Sequence, residues 1–160
     1  MKYLLVVISI FLSSCAIRPI SYKEPTSGPV TEVTFENEGI GVGGVSIFKG
    51  AETCEGRRIT QTIEHGESLD LKVAADSPLS FSFGYNIYGN NLSGYAFCRV
   101  YVTFEPKMGT KYIARIEAVP DGCTLGIYAY TNTGEVRRVP NVTYRKPAKF
   151  PLYEESSFCE

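Results

Sequence analysis

The chain has 160 residues, with 16 Lys and Arg against 17 Asp and Glu and one His, for a formal charge of −1. That near balance leaves no overall basic field, so nucleic acid is not an expected partner. A chain of this length forms one domain with a core of its own, and no cofactor is needed to hold it together.

The first element in chain order is the uncharged run Leu4 to Leu12 behind Lys2. It falls short of the about 20 apolar residues that cross a bilayer and has the pattern of an export signal. Behind it, Leu12-Ser13-Ser14-Cys15 resembles a bacterial lipobox. The resemblance implies cleavage of residues 1–14 and acylation of Cys15, whose thiol and new amino terminus would hold the protein to a membrane by two or three chains. Ala16, where an Asp would favour retention in the inner membrane, implies the outer membrane and a periplasm-facing domain. From Ala16 the chain continues "AIRPISYKEPTSGP", with Pro19, Pro25 and Pro29 and no periodic apolar pattern. Residues 15–29 are therefore expected to be a flexible tether, extended at about 3.1 Å per residue and reaching roughly 40 Å. Residues 30–160 are expected to be a single folded domain.

Within that domain short apolar or alternating runs are separated by Gly, Pro, Asn and Asp. They predict strands over Thr31–Asn37, Gly44–Phe48, Arg58–Ile63, Ser68–Val73, Leu79–Tyr88, Cys98–Phe104, Lys111–Val119 and Cys123–Tyr130, with a short one at Val136–Val139. In the clearest run Leu79, Phe81, Phe83, Tyr85 and Ile87 alternate with Ser80, Ser82, Gly84, Asn86 and Tyr88, so one face is expected to pack and the other to meet water. Eight or nine short strands predict an all-β fold, a sandwich of about seven to nine strands. After Pro106 and Gly109 comes Tyr112, an arrangement that resembles the tyrosine corner of Greek-key sandwiches of immunoglobulin or transthyretin type.

Setting Cys15 aside leaves Cys54, Cys98, Cys123 and Cys159, an even number suited to two disulfides in an oxidising compartment. No pair has C-x-x-C spacing and His65 is the only imidazole, so no metal site is expected. Four cysteines allow three pairings. Cys98 with Cys123 and Cys54 with Cys159 is preferred, on one condition: the corner at Tyr112 must carry the chain into the other sheet. A flat meander would separate Cys98 from Cys123 by two strand spacings, close to 10 Å. The tail "RKPAKFPLYEESSFCE" is broken by Pro147 and Pro151, and Cys159 would pin it.

Other patterns invite functional claims. Gly39, Gly41 and Gly44 match the dinucleotide fingerprint, but a strand rather than a helix is predicted to follow, which favours a loop needing small residues. A serine hydrolase would need His65 as base, and no serine stands in a nucleophile-elbow context. Tyr88, Asn90, Asn91 and Tyr95 lie on a Gly/Asn-rich loop between two strands and are the candidate binding residues, because tyrosines give contact area at little entropic cost. The plainer reading makes Tyr85, Tyr95 and Phe97 core. Arg137, Arg138, Arg145, Lys146 and Lys149 form a basic set that a solvated surface also explains.

As a whole the chain resembles the small β-rich lipoproteins of Gram-negative bacteria, on its lipobox and on the C-x5-F-x-P-x-x-G-x-x-Y-x10-C segment from Cys98 to Cys123. That group has no agreed activity, so the resemblance implies location and fold rather than chemistry. The expectation is a non-enzymatic interaction or envelope-assembly module whose partner is another envelope protein. The alternative is an inhibitor of a hydrolase such as lysozyme or a protease, and a hydrolase comes third.

Overall fold

The structure, a computed structural model, describes residues 19–87, 96–131, 133–149 and 151–160. It contains ten strands: β1 (Val30–Glu38), β2 (Val42–Gly50), β3 (Glu55–Ile63), β4 (Ser68–Ala74), β5 (Leu79–Ile87), β6 (Ala96–Phe104), β7 (Tyr112–Val119), β8 (Gly122–Tyr130), β9 (Val136–Arg138) and β10 (Thr143–Arg145). They form two five-stranded sheets, ordered β4-β1-β7-β8-β9 and β10-β6-β5-β2-β3. Every pairing is antiparallel except β1 with β7, where Val33 lies beside Tyr112 and Glu38 beside Glu117.

The alternation of each strand explains which residues lie between the sheets. Val33 and Phe35 of β1, Leu71 and Val73 of β4, and Ile116 of β7 face Phe81 and Phe83 of β5 and Val102 of β6. Phe35 meets Phe81 and Phe83 edge to face, at centroid distances of 5.1 and 5.8 Å. Such pairs add stabilisation beyond the area they bury.

The tyrosine corner is present. Tyr112 is buried, and its hydroxyl accepts the backbone N–H of Lys107 at 2.8 Å. The chain changes sheets there, β6 lying in one and β7 in the other. Cys98 and Cys123 consequently meet across the sandwich with Cα atoms 5.9 Å apart, and Cys54 bonds to Cys159 with Cα atoms 5.3 Å apart.

Two expectations are corrected. Most of the serine face of β5 does not meet water: Ser80 and Ser82 are fully buried, while Asn86, farther along the same face, is exposed. The Arg99 side chain lies across that face and donates to Ser82 Oγ at 3.1 Å and Ser46 Oγ at 3.4 Å, while Ser80 Oγ bonds the Ala51 carbonyl at 2.6 Å. Beside them the carboxy-terminal segment packs Phe158 on Phe48, 5.7 Å between ring centres, and Arg57 sits over the Phe158 ring while pairing bidentately with Glu154. A second, smaller core results, made of Phe48, Cys54, Phe158 and Cys159.

The second correction concerns residues 19–29, expected to be free tether. Ile59 exchanges backbone hydrogen bonds with Ile20 and Tyr22, at 2.9 and 2.7 Å, so Ser21 runs parallel to β3. The chain then crosses to β4, where the Tyr22 hydroxyl donates to the Lys72 carbonyl and Glu24 accepts the Lys72 N–H. A Pro-rich segment lacks periodicity, but an exposed strand edge still offers it backbone partners.

Candidate interaction site

Strand directions gather four connections at one end of the sandwich: 39–41, 64–67, 88–95 and 120–121. The first two are welded by Asn37, which is fully buried at the end of β1. Its amide donates to the carbonyls of Gly41 and Ile63 at 2.9 and 2.8 Å, and its Oδ1 accepts the Gly39 N–H at 3.1 Å. Its backbone also bonds Glu67 and Gly66. His65 Nδ1 lies 2.6 Å from the Gly39 carbonyl, so the imidazole ties these loops to each other.

The glycines here answer to geometry. Gly41 has φ +98°, and a Cβ on it would come 2.5 Å from the Asn86 carbonyl oxygen, while one on Gly39 would enter the Tyr85 ring. They are followed by β2, a strand, as the loop reading requires.

The ends of β5 and β6 and the turn from β7 to β8 are held together by Tyr85 and the disulfide. The buried Tyr85 hydroxyl donates to the Gly122 carbonyl at 3.0 Å, and burial pushes its pKa up. Cys98–Cys123 fixes the start of β6 to the start of β8. The candidate residues Tyr88, Asn90, Asn91 and Tyr95 lie outside the described residues, as does Cys15. The strand ends that carry the first four are paired, Ile87 opposite Ala96.

Around this base the molecule exposes apolar side chains that sequence reasoning missed. Phe97 is 70% exposed and Ile40 57%, with Val119 also on the surface. Phe97 is thus not core. The signal was available: counting back by twos from outward-facing Tyr101 through Arg99 reaches Phe97, whereas the inward set is Val102 and Phe104. Four exposed acids, Glu38, Glu64, Glu67 and Asp121, stand on or beside the loops, and the loops themselves carry no Lys or Arg.

The basic set straddles the edge strands β9 and β10, which meet where Arg138 lies 3.4 Å from the Tyr144 hydroxyl. Arg137 and Arg138 sit on β9 at the edge of one sheet and Arg145 on β10 at the edge of the other; Arg137 pairs with Glu135 at 2.8 Å, and Arg145 donates to Thr103 Oγ1 at 3.3 Å. Among the described residues no three His, Cys, Asp or Glu side chains gather as a metal site would require. No known protein family, curated protein or solved structure matches this chain.

Proposed function

We propose that the protein is a lipid-anchored envelope protein, attached through Cys15 to the outer membrane and facing the periplasm, and that it works as a non-enzymatic module holding a protein partner at the four-loop end. One observation carries this reading: apolar Ile40, Phe97 and Val119 are each exposed at this end of the sandwich, on a base locked by Asn37, Tyr85 and a disulfide. Apolar side chains exposed on a rigid frame give a partner something to bury, and little ordering entropy is lost on docking. The acids around it suit a partner whose surface is basic at its rim and apolar at its centre. The chain also enters alongside β3 running toward these loops, so an anchor before Pro19 would leave them pointing away from the bilayer. A basic hydrolase of the lysozyme kind fits the same charge pattern, which keeps inhibition as the second reading.

The test is in-cell crosslinking of the full chain, comparing wild type with Ile40→Asp/Phe97→Asp, two exposed positions whose change leaves the core intact. The partner adduct should fall at least tenfold, and adducts from both proteins should shrink with salt. An unchanged adduct pattern in the variant overturns the reading. Lysozyme inhibition by wild type and not by the variant selects the second reading.

A further inference from the structure

A cavity of about 580 Å³ opens at the other end of the sandwich. It lies between the amino-terminal segment and the β2–β3 edge. Ile20, Tyr22 and Pro25 form one wall and Phe48, Pro78 and Leu79 the other. The wall from the amino-terminal segment is preformed, because the bonds to Ile59 and Lys72 fix it on both sides.

Charge at the cavity is one-sided. Lys23, Lys49 and Arg58 line it, and among the described residues no carboxylate does. Glu155 bonds Arg58 at 2.5 Å and lies 3.8 Å from Lys49, leaving one acid for two cations. Lys23 has no ion pair among the described residues and is exposed. An apolar hollow with cations at its rim matches a ligand that is greasy along its length and anionic at one end. The volume falls within the roughly 300–1,000 Å³ usual for small-molecule sites, room for one alkyl chain rather than two.

We infer that this cavity binds a single-chain carboxylate amphiphile, a long-chain fatty acid, with its chain between Ile20 and Leu79 and its carboxylate held by Lys23 and Lys49. The site stands apart from the loop end and does not depend on the partner proposed there. Affinity should rise about fourfold per methylene added, until the chain outgrows the hollow.

Photolabelling tests this on the full chain in neutral detergent. The probe is a hexadecanoate carrying a diazirine at mid-chain, and labelled peptides are mapped by mass. Label is expected in 20–25, 47–49 and 74–79, competed by dodecanoate better than by decanoate. Lys23→Glu/Lys49→Glu should cut it at least tenfold. Ser77→Trp, which sets a ring in the mouth from an exposed loop position, should abolish it. The matching alcohol and trimethylammonium probes should label at least tenfold less. Equal labelling by all three head groups, label confined to residues outside these segments, or label indifferent to both variants overturns the inference. Label that appears only after Cys15→Ser would mean the chain's own acyl group fills the hollow, and overturns it too.

Discussion

Tyr22 shows how one side chain fixes a whole segment. Burial, and secondarily the neighbouring Glu24, push its pKa from 10.0 up to about 12. A raised pKa means the docked state favours the protonated phenol. Its contribution is therefore complete below pH 10, the ordinary value, and is lost as pH climbs toward 12. Tyr22→Phe deletes both the titration and the bond to the Lys72 carbonyl, so it should cost about 1 kcal/mol at neutral pH. The melting-temperature gap between wild type and Tyr22→Phe should hold steady to pH 9 and close above the usual tyrosine range, about pH 10. A gap independent of pH would place the phenol in water. Neither Tyr22 nor Arg99 was marked by the sequence as a structural residue. Their roles come from what lies across from them, which local pattern does not encode, whereas Tyr112 was legible because its partner is five residues away.

Most elements were legible. Alternation marks a strand wherever one face is buried, and every predicted run overlaps an observed strand, with Lys111 and Val139 falling just beyond theirs and Tyr88 outside the described residues. β10 escaped because Thr143–Arg145 stands between Pro140 and Pro147 and has no inward-facing apolar residue to mark it, and the buried serines of β5 escaped because a polar residue covered by an arginine looks like one facing solvent. The disulfides are the clearest link from residue to element. Chain-entropy reasoning gives about 3.5 kcal/mol for Cys98–Cys123 and nearer 4–5 for Cys54–Cys159, whose sequence separations are 25 and 105. Their effects should differ in kind. Cys98→Ala/Cys123→Ala should loosen the loop end, seen as faster amide exchange in β6 and β8. Cys54→Ala/Cys159→Ala should release the carboxy-terminal segment from the Phe48 face, with protease cuts after 145 and little change in the central strands. Identical exchange patterns in the two variants would deny this division.

At the scale of the molecule, residues 19–29 belong to the folded unit. A chain beginning at Val30 lacks the strip that closes the gap between β3 and β4, whereas one beginning at Pro19 keeps it. The longer chain should melt higher by several degrees and resist proteolysis within β3. Equal melting temperatures would return this stretch to the role of linker. Composition could not show this, since a proline-rich strip held by backbone bonds to a strand edge resembles a free one residue by residue.

The parallel pairing of β1 with β7 has a consequence for how the protein comes into being. The ion pair Arg115–Glu36 that borders it joins residues 79 apart, and the Cys54–Cys159 disulfide joins residues 105 apart. An incomplete polypeptide leaves β1 with only β4 beside it, so the sandwich has no closed form until most of the sequence exists. Assembly is accordingly late, and slow in the manner of folds built from distant contacts.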